Sequence, residues 1–264
     1  VSKVLEMPLA FFCKNYLIER EGKNEYLQQC QKEYERVYSQ IPELPFSNIW
    51  VAKQLSNKLP CNSNVYLGIL GSIRSWDFFN LPIGVYGTSN VGGYGIDGTI
   101  SSAIGQTIVN PNKLVFCVLG DLAFFYDLNA LGNRHIGNNL RVLLINNGLG
   151  DEFRVYDNPT GFMGDAVRPY IAAEGHYAQK SRDLIRNYAL SLGFEYLCAI
   201  DKEDFLKYSH RFFTEECVDK PIIFEVFTYS EQETEALNLI CNILISPEGK
   251  IIDKIKKGVK KWLL

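Results

Sequence analysis

Asp121 and Asn147 are the residues from which a chemistry can be argued first. Each closes or follows a short apolar run of strand length, LVFCVLG (114–120) and RVLLINN (141–147). Each puts a small oxygen-bearing side chain at the end of its run. The segment between them, AFFYDLNALGNRHI (123–136), has a helical pattern, so the two runs read as parallel neighbours in one βαβ unit. Such neighbours place their carboxyl ends side by side. A carboxylate from Asp121, an amide oxygen from Asn147 and a backbone carbonyl from the turn Gly148-Leu149-Gly150 then converge. Three hard oxygens with no His or Cys nearby suit magnesium or calcium rather than zinc. A helix starting just after Asp121 offers free N–H groups and a positive dipole end to an anion. A metal-bridged diphosphate satisfies all of these at once. Either residue alone reads as structure, because Asp is a common helix cap and Asn-Gly a common turn. It is the pair, twenty-six positions apart at the two ends of one unit, that points to a ligand.

The elements that must hold this pair alternate along the chain. Strands are expected at VYLGIL (65–70), VYG (85–87), 114–120, 141–147 and IIFEVFT (222–228), with a weaker one at FEYLCAI (194–200). Helices are expected at 48–59, 97–109, 123–136, 181–193 and 203–216. Continuous apolar strands alternating with helices predict an α/β fold: a parallel β-sheet with helices on both faces, in three αβα layers. Ligands of such sheets bind beyond the carboxyl ends of the strands. The stretch 151–180 has weak periodicity and reads as a long cover loop. The end of the chain, GKIIDKIKKGVKKWLL (249–264), reads as a basic amphipathic helix docked on protein.

Bulk composition narrows the classes. The chain has 264 residues, 47% hydrophobic and 22% charged, enough to bury a core. A net charge of −3 leaves no basic footprint for nucleic acid, and no apolar run is long enough to span a membrane. Seven cysteines form no CxxC pair and no zinc spacing, which predicts reduced, buried thiols in a cytoplasmic protein.

A competing motif is GYGIDG (93–98), which satisfies GxGxxG and opens a helix, with Asp121 at a distance suited to a ribose contact. It would make a dinucleotide site and the protein a nicotinamide-dependent oxidoreductase. That reading leaves Asn146-Asn147 without a role, and the strand before the motif is short and poorly apolar.

Gly120-Asp121 followed by Asn146-Asn147 resembles the diphosphate–metal motif of thiamine-diphosphate-dependent enzymes. The resemblance is nearest to the menaquinone-pathway succinyl-enolpyruvyl-hydroxycyclohexene-carboxylate synthases, with GDLAFFYDLNAL (120–131) and YGIDG (94–98) standing where that family carries GDLSALYDLNAL and SGIDG. It runs from about Phe46 to Leu239 and corresponds to the family's C-terminal, diphosphate-binding domain. It implies three segments: 1–45 as the end of a preceding domain and a linker helix, 46–235 as the diphosphate and magnesium domain, and 236–264 as a helical extension. It implies thiamine diphosphate and Mg2+ as cofactors, the cation held by Asp121, Asn147 and the carbonyl of Leu149. The diphosphate would meet Gly71, Ser72 and the amides of Gly120, Asp121, Leu122 and Ala123. Ile96 would be the apolar wedge that bends the cofactor. The implied activity is decarboxylation of a 2-oxoacid or carboligation from one.

Three departures shape the expectation. Leu149 stands where the family often has Gly, a change that a backbone ligand tolerates. Trp76 and Val91 stand where the menaquinone enzyme uses arginines for substrate carboxylates, and Arg74 lies two positions off register. An apolar group cannot neutralise a carboxylate, so another 2-oxoacid or acceptor is expected. Arg154, Arg168 and His176 in the cover loop are further candidates for reading substrate anions, while His135 and His210 read as structural. Lastly, the family's activating glutamate lies on a pyrimidine-binding domain that has no counterpart before residue 46. The chain therefore reads as half of an active site, with no catalytic residue of its own. The other half would lie upstream in a longer polypeptide or on a separate subunit, as in split 2-oxoacid decarboxylases or acetolactate-synthase-like enzymes. Paired domains imply at least a homodimer. A non-catalytic binding module descended from the same fold is the remaining alternative.

Overall fold

Strand β1 (Asn64–Leu67), β2 (Tyr86–Thr88), β3 (Val115–Gly120), β4 (Leu140–Asn146), β5 (Glu195–Ala199) and β6 (Ile222–Phe227) form one sheet in the order β2-β1-β3-β4-β6-β5, parallel throughout. These coordinates are a computed structural model that describes residue 4 and residues 6–16, 24–150, 181–215 and 219–244. The chain divides between Ile41 and Pro42 into two compact units. In the first, the helices Leu9–Tyr16 and Glu25–Tyr38 bury none of their residues. The sheet belongs wholly to the second.

Every residue of β4 is buried, and so are the first five of β3 and of β6. Side chains alternate across a strand, so such runs need cover on both faces. On one face Val115, Cys117 and Leu119 of β3 join Leu140, Val142 and Leu144 of β4 beneath the helices Thr99–Val109 and Leu184–Ser191, through Ile100, Ile104, Ile185 and Ala189. On the other, Phe224 stacks on Phe205 at 5.2 Å and Phe116 meets Phe212 edge-on at 5.5 Å, both partners coming from the helix Lys202–Phe212. Trp50 of the helix Asn48–Leu55 closes on Phe205 at 5.4 Å. Each such ring contributes roughly 1.5–3 kcal/mol by leaving water. Truncating Phe205, fully buried among three aromatics, would cost about 3–5 kcal/mol. The expected three-layer α/β architecture is present.

Local signals set the element ends. Ser47 Oγ accepts from Trp50 N–H to start one helix, and Asp201 accepts from Asp204 N–H to start another. Gly193, at φ +85°, ends the helix Leu184–Ser191 in the left-handed conformation. Two expectations are corrected. The helix expected over 123–136 stops at Tyr126 and continues as a 3-10 turn, Leu128–Gly132. Asp127 is the cause: its carboxylate accepts from Ser101 N–H (2.6 Å) and Ser101 Oγ (2.7 Å), capping the neighbouring helix whose own cap, Gly98, has no side chain. The strand expected over 65–70 ends at Leu67, because the chain bends sharply at Leu70 (φ +66°, ψ −119°).

The expectation of buried thiols also needs correction. Among the described cysteines Cys117 is buried, Cys13 and Cys198 are partly so, and Cys30, Cys61 and Cys241 are exposed. The polar faces of their helices and loops carry them outward. No helix among the described residues is long and apolar enough to cross a membrane.

Candidate functional site

The strand order reverses between β1 and β3: the chain runs outward from β1 to β2, then returns to the other side of β1. At such a switch point the loops leaving the two strands diverge and open a crevice beyond their carboxyl ends. A cleft of about 320 Å3 lies there. Its lining includes Gly71 and Ser72 after β1, Gly120, Asp121, Leu122 and Ala123 at the end of β3, Asn147 after β4, and Ile96. Eight of the nine site residues expected from sequence therefore share one cavity. The ninth, Leu149, is not among the lining residues, but Gly150 beside it is.

Register explains the convergence of Asp121 and Asn147. Gly120 pairs with Ile145, so the chain leaves β3 and β4 within a residue of the same level. Asp121 is 1% exposed and its Oδ1 accepts from Leu122 N–H at 2.7 Å. Strand alternation then separates the two asparagines. Asn146 turns into the protein, where its Nδ2 donates to Glu225 Oε1 (2.6 Å) and its Oδ1 accepts from Gly148 N–H (3.1 Å). Asn147 turns to the cleft, with its Oδ1 accepting from Leu149 N–H (3.0 Å). Gly148 and Gly150, at φ +74° and +56°, supply the left-handed steps this turn needs.

The residues fit a metal–diphosphate group on two counts. A Cβ built on Gly71 or Gly120 meets nothing within 4 Å, so both glycines border open space where backbone can approach a ligand closely. The donor atoms are oxygens, with neither His nor Cys lining the cleft among the described residues. Among the described residues no group of three His, Cys, Asp or Glu could hold a metal. A cation here would rest on one carboxylate, an amide oxygen, a carbonyl and ligand phosphate, as magnesium does.

Other lining residues escaped the sequence. Asn48 and Glu233, 185 positions apart, meet at the cleft wall. The carboxylate of Glu233 accepts the Asn48 backbone N–H at 2.9 and 3.0 Å, satisfying a free donor at the start of the helix Asn48–Leu55. Asn48 Nδ2 donates to Gly71 O at 3.3 Å, while its Oδ1, buried, has no hydrogen-bond partner among the described residues. Leu70 also lines the cleft, in a backbone conformation a side chain rarely adopts. Contacts at such separation leave no local pattern to read.

Beneath Asn146 lies a second polar cluster. Glu225 of β6 is 1% exposed and also accepts the Tyr196 phenol at 2.6 Å. Burial pushes its carboxyl up to about 7, with the Asp121 charge adding to this and the bonds from Tyr196 and Asn146 opposing it. Burial and the Glu225 charge push the Tyr196 phenol up in turn.

The positions at which the resembled family carries its substrate-binding arginines lie elsewhere. Trp76 is 2% exposed and Val91 half exposed, and neither lines the cleft, nor does Arg74. His135 and His210 are exposed and away from it. Arg154, Arg168, His176 and the basic segment 249–264 lie outside the described residues. The GYGIDG segment does not form a dinucleotide fingerprint. Ten residues separate the end of β2 from the helix at Thr99, and the Asp127 carboxylate takes the Ser101 amide at the helix start, where a pyrophosphate would sit.

No protein-family model matches the chain. Curated relatives do. The chain is 34% identical over 196 residues to the 2-succinyl-5-enolpyruvyl-6-hydroxy-3-cyclohexene-1-carboxylate synthase of Bacteroides fragilis, a match covering 74% of this chain and 34% of that protein. The same-named enzyme of Phocaeicola vulgatus is 34% identical over 197 residues (75% and 34%), and that of Bacteroides thetaiotaomicron 31% over 211 (78% and 36%). The chain spans about a third of the length of these relatives. Over three quarters of its own length, it is a distant homologue of these synthases.

Proposed function

We propose that residues 46–235 are the diphosphate- and magnesium-binding half of a thiamine-diphosphate-dependent enzyme that decarboxylates a 2-oxoacid or ligates a carbon unit derived from one. The observation that carries this reading is the meeting of Gly71-Ser72, Gly120-Asp121 and Asn147 around one cleft at the switch point of the sheet. Homology to synthases that build a carboxylate product supports it.

In this reading Asp121, Asn147 and the Leu149 carbonyl hold magnesium. Gly71, Ser72 and the amides from Gly120 to Ala123 receive the diphosphate, and Ile96 presses on the cofactor's apolar middle. The bound cofactor supplies an electron sink for breaking or making a bond beside a carbonyl. The chain's own task is to neutralise the diphosphate and fix its position, while Ile49, Ile69, Ile96 and Ile145 keep water from the cleft. Trp76 and Val91 are apolar and cannot neutralise a substrate carboxylate, so the substrate is another 2-oxoacid or acceptor than the relatives' own. The activating base comes from a pyrimidine-binding domain, upstream or on another subunit of an oligomer.

Calorimetry with thiamine diphosphate and Mg2+ tests this, comparing the wild-type chain with Asp121→Ala and Asn147→Ala. Saturable, magnesium-dependent heat that both substitutions abolish is the expected result. Equal heats for all three proteins would remove the metal assignment.

A further inference from the structure

We propose that Glu225, acting through Asn146, is a positioning residue that fixes the 146–150 turn and so aims Asn147 into the cleft; the metal role of Asn147 is taken from the function proposed above. Glu225 is the one charged side chain in the run Ile222–Phe227. A buried carboxyl on an inner strand is costly, and an apolar residue would pack there at less expense in desolvation. What it holds explains its presence. Tyr196 of β5 donates to Oε2 and Asn146 of β4 donates to Oε1, both at 2.6 Å, so the carboxyl is gripped from the strands on either side. Asn146 is then bound at both ends of its amide, because its Oδ1 accepts Gly148 N–H at 3.1 Å. An amide fixed at both ends cannot flip or swing. The bonds run without a gap from Tyr196 through Glu225 and Asn146 to Gly148, whose left-handed φ of +74° sets the direction of the turn. Strand alternation does the rest: with Asn146 locked inward, Asn147 must face outward.

Partners one bond removed from a metal ligand commonly change affinity by about 10–100-fold when lost. The experiment combines backbone amide exchange in the ligand-free chain with magnesium titration at saturating thiamine diphosphate. Glu225→Ala is expected to speed exchange at Gly148 about tenfold or more, with Ile145 inside β4 unchanged, and to weaken magnesium about tenfold. Glu225→Gln keeps a carbonyl for Asn146 and an amide for the Tyr196 oxygen, and should restore both readouts to near the wild-type values. Should Glu225→Ala fail to fold, Asn146→Ala severs the same relay with the Glu225–Tyr196 bond left in place, and should show the same two changes. A Gly148 amide as protected in Asn146→Ala as in the wild type would overturn the proposal, whatever the metal result. A wild-type chain that ignores magnesium, while Gly148 still loosens in the variants, would overturn the metal reading and leave the clamp standing.

Discussion

The two ends of β3 and β4 use the same kinds of residue for opposite purposes. At the amino ends, Asn139 is buried and its Nδ2 faces three backbone carbonyls: Lys113 (2.9 Å), Asn110 (3.1 Å) and Thr107 (3.4 Å). Arg141 beside it donates from Nη1 to Asn138 O and Leu140 O. Asn139 thereby ties one loop to the next, while these Arg141 bonds brace its own turn. At the carboxyl ends, Asp121 and Asn147 accept from the N–H groups of Leu122 and Leu149, and both line the cleft. A buried polar side chain is thus no sign of function by itself. The difference lies in whether its partners are the protein's own carbonyls or the wall of an open cavity.

The sharpest break in that comparison would come from Asp121→Ala. Loss of a charged ligand should weaken magnesium-dependent cofactor binding about a hundredfold or more, with little change in cofactor-free melting. Calorimetry and a thermal scan on the same sample would show it. Asn139→Ala should do the reverse, costing about 2 kcal/mol, or roughly 4–8 °C in Tm, with cofactor affinity unchanged. If both substitutions moved binding, the division between the two ends would fail. Gly120→Ala tests the cleft end more finely. Gly120 has φ −81° and ψ +168°, which alanine adopts easily, and the added methyl meets only open space in the protein. Folding should be unaffected or slightly favoured, while a ligand seated against Gly120 is displaced, weakening binding about tenfold.

The smallest effect concerns Glu225. Its carboxyl is raised to about 7, above the ordinary unfolded value, so the folded chain binds this proton more tightly. Its stabilising contribution is therefore full below the unfolded pKa and is lost as pH rises through about 7. Relative to Glu225→Gln, the wild type should lose stability on the order of 1 kcal/mol per pH unit over the middle of that range, as read from chemical denaturation at stepped pH. Glu195, held down by Arg211, and Glu43, held down by Lys202, pull the other way in both proteins and cancel in the difference.

Much of the fold was legible because it is written locally. Apolar runs of strand length, a Ser or Asp before a helix and a Gly after one are read off neighbouring positions. The placement of Asp121 and Asn147 was legible for the same reason, since a βαβ unit of this size brings its strand ends together. The failures have a common cause as well. The helix expected over 123–136 looks continuous until Asp127 is drawn away to Ser101, twenty-six positions back. The exposed cysteines sit in helices and loops whose solvent faces no short pattern reveals.

By itself, then, the order of residues determined the parallel α/β class, most of the strands and helices, and the two oxygen-bearing strand ends. Periodicity and capping act over a few residues, so no tertiary information was needed. Only the folded chain decided that Glu233 would reach Asn48, that Glu225 would lie under Asn146 between two strands, and that Trp76 would be buried away from the cleft. Those outcomes depend on strand order, register and helix cover, which are settled by the packing of distant segments against one another.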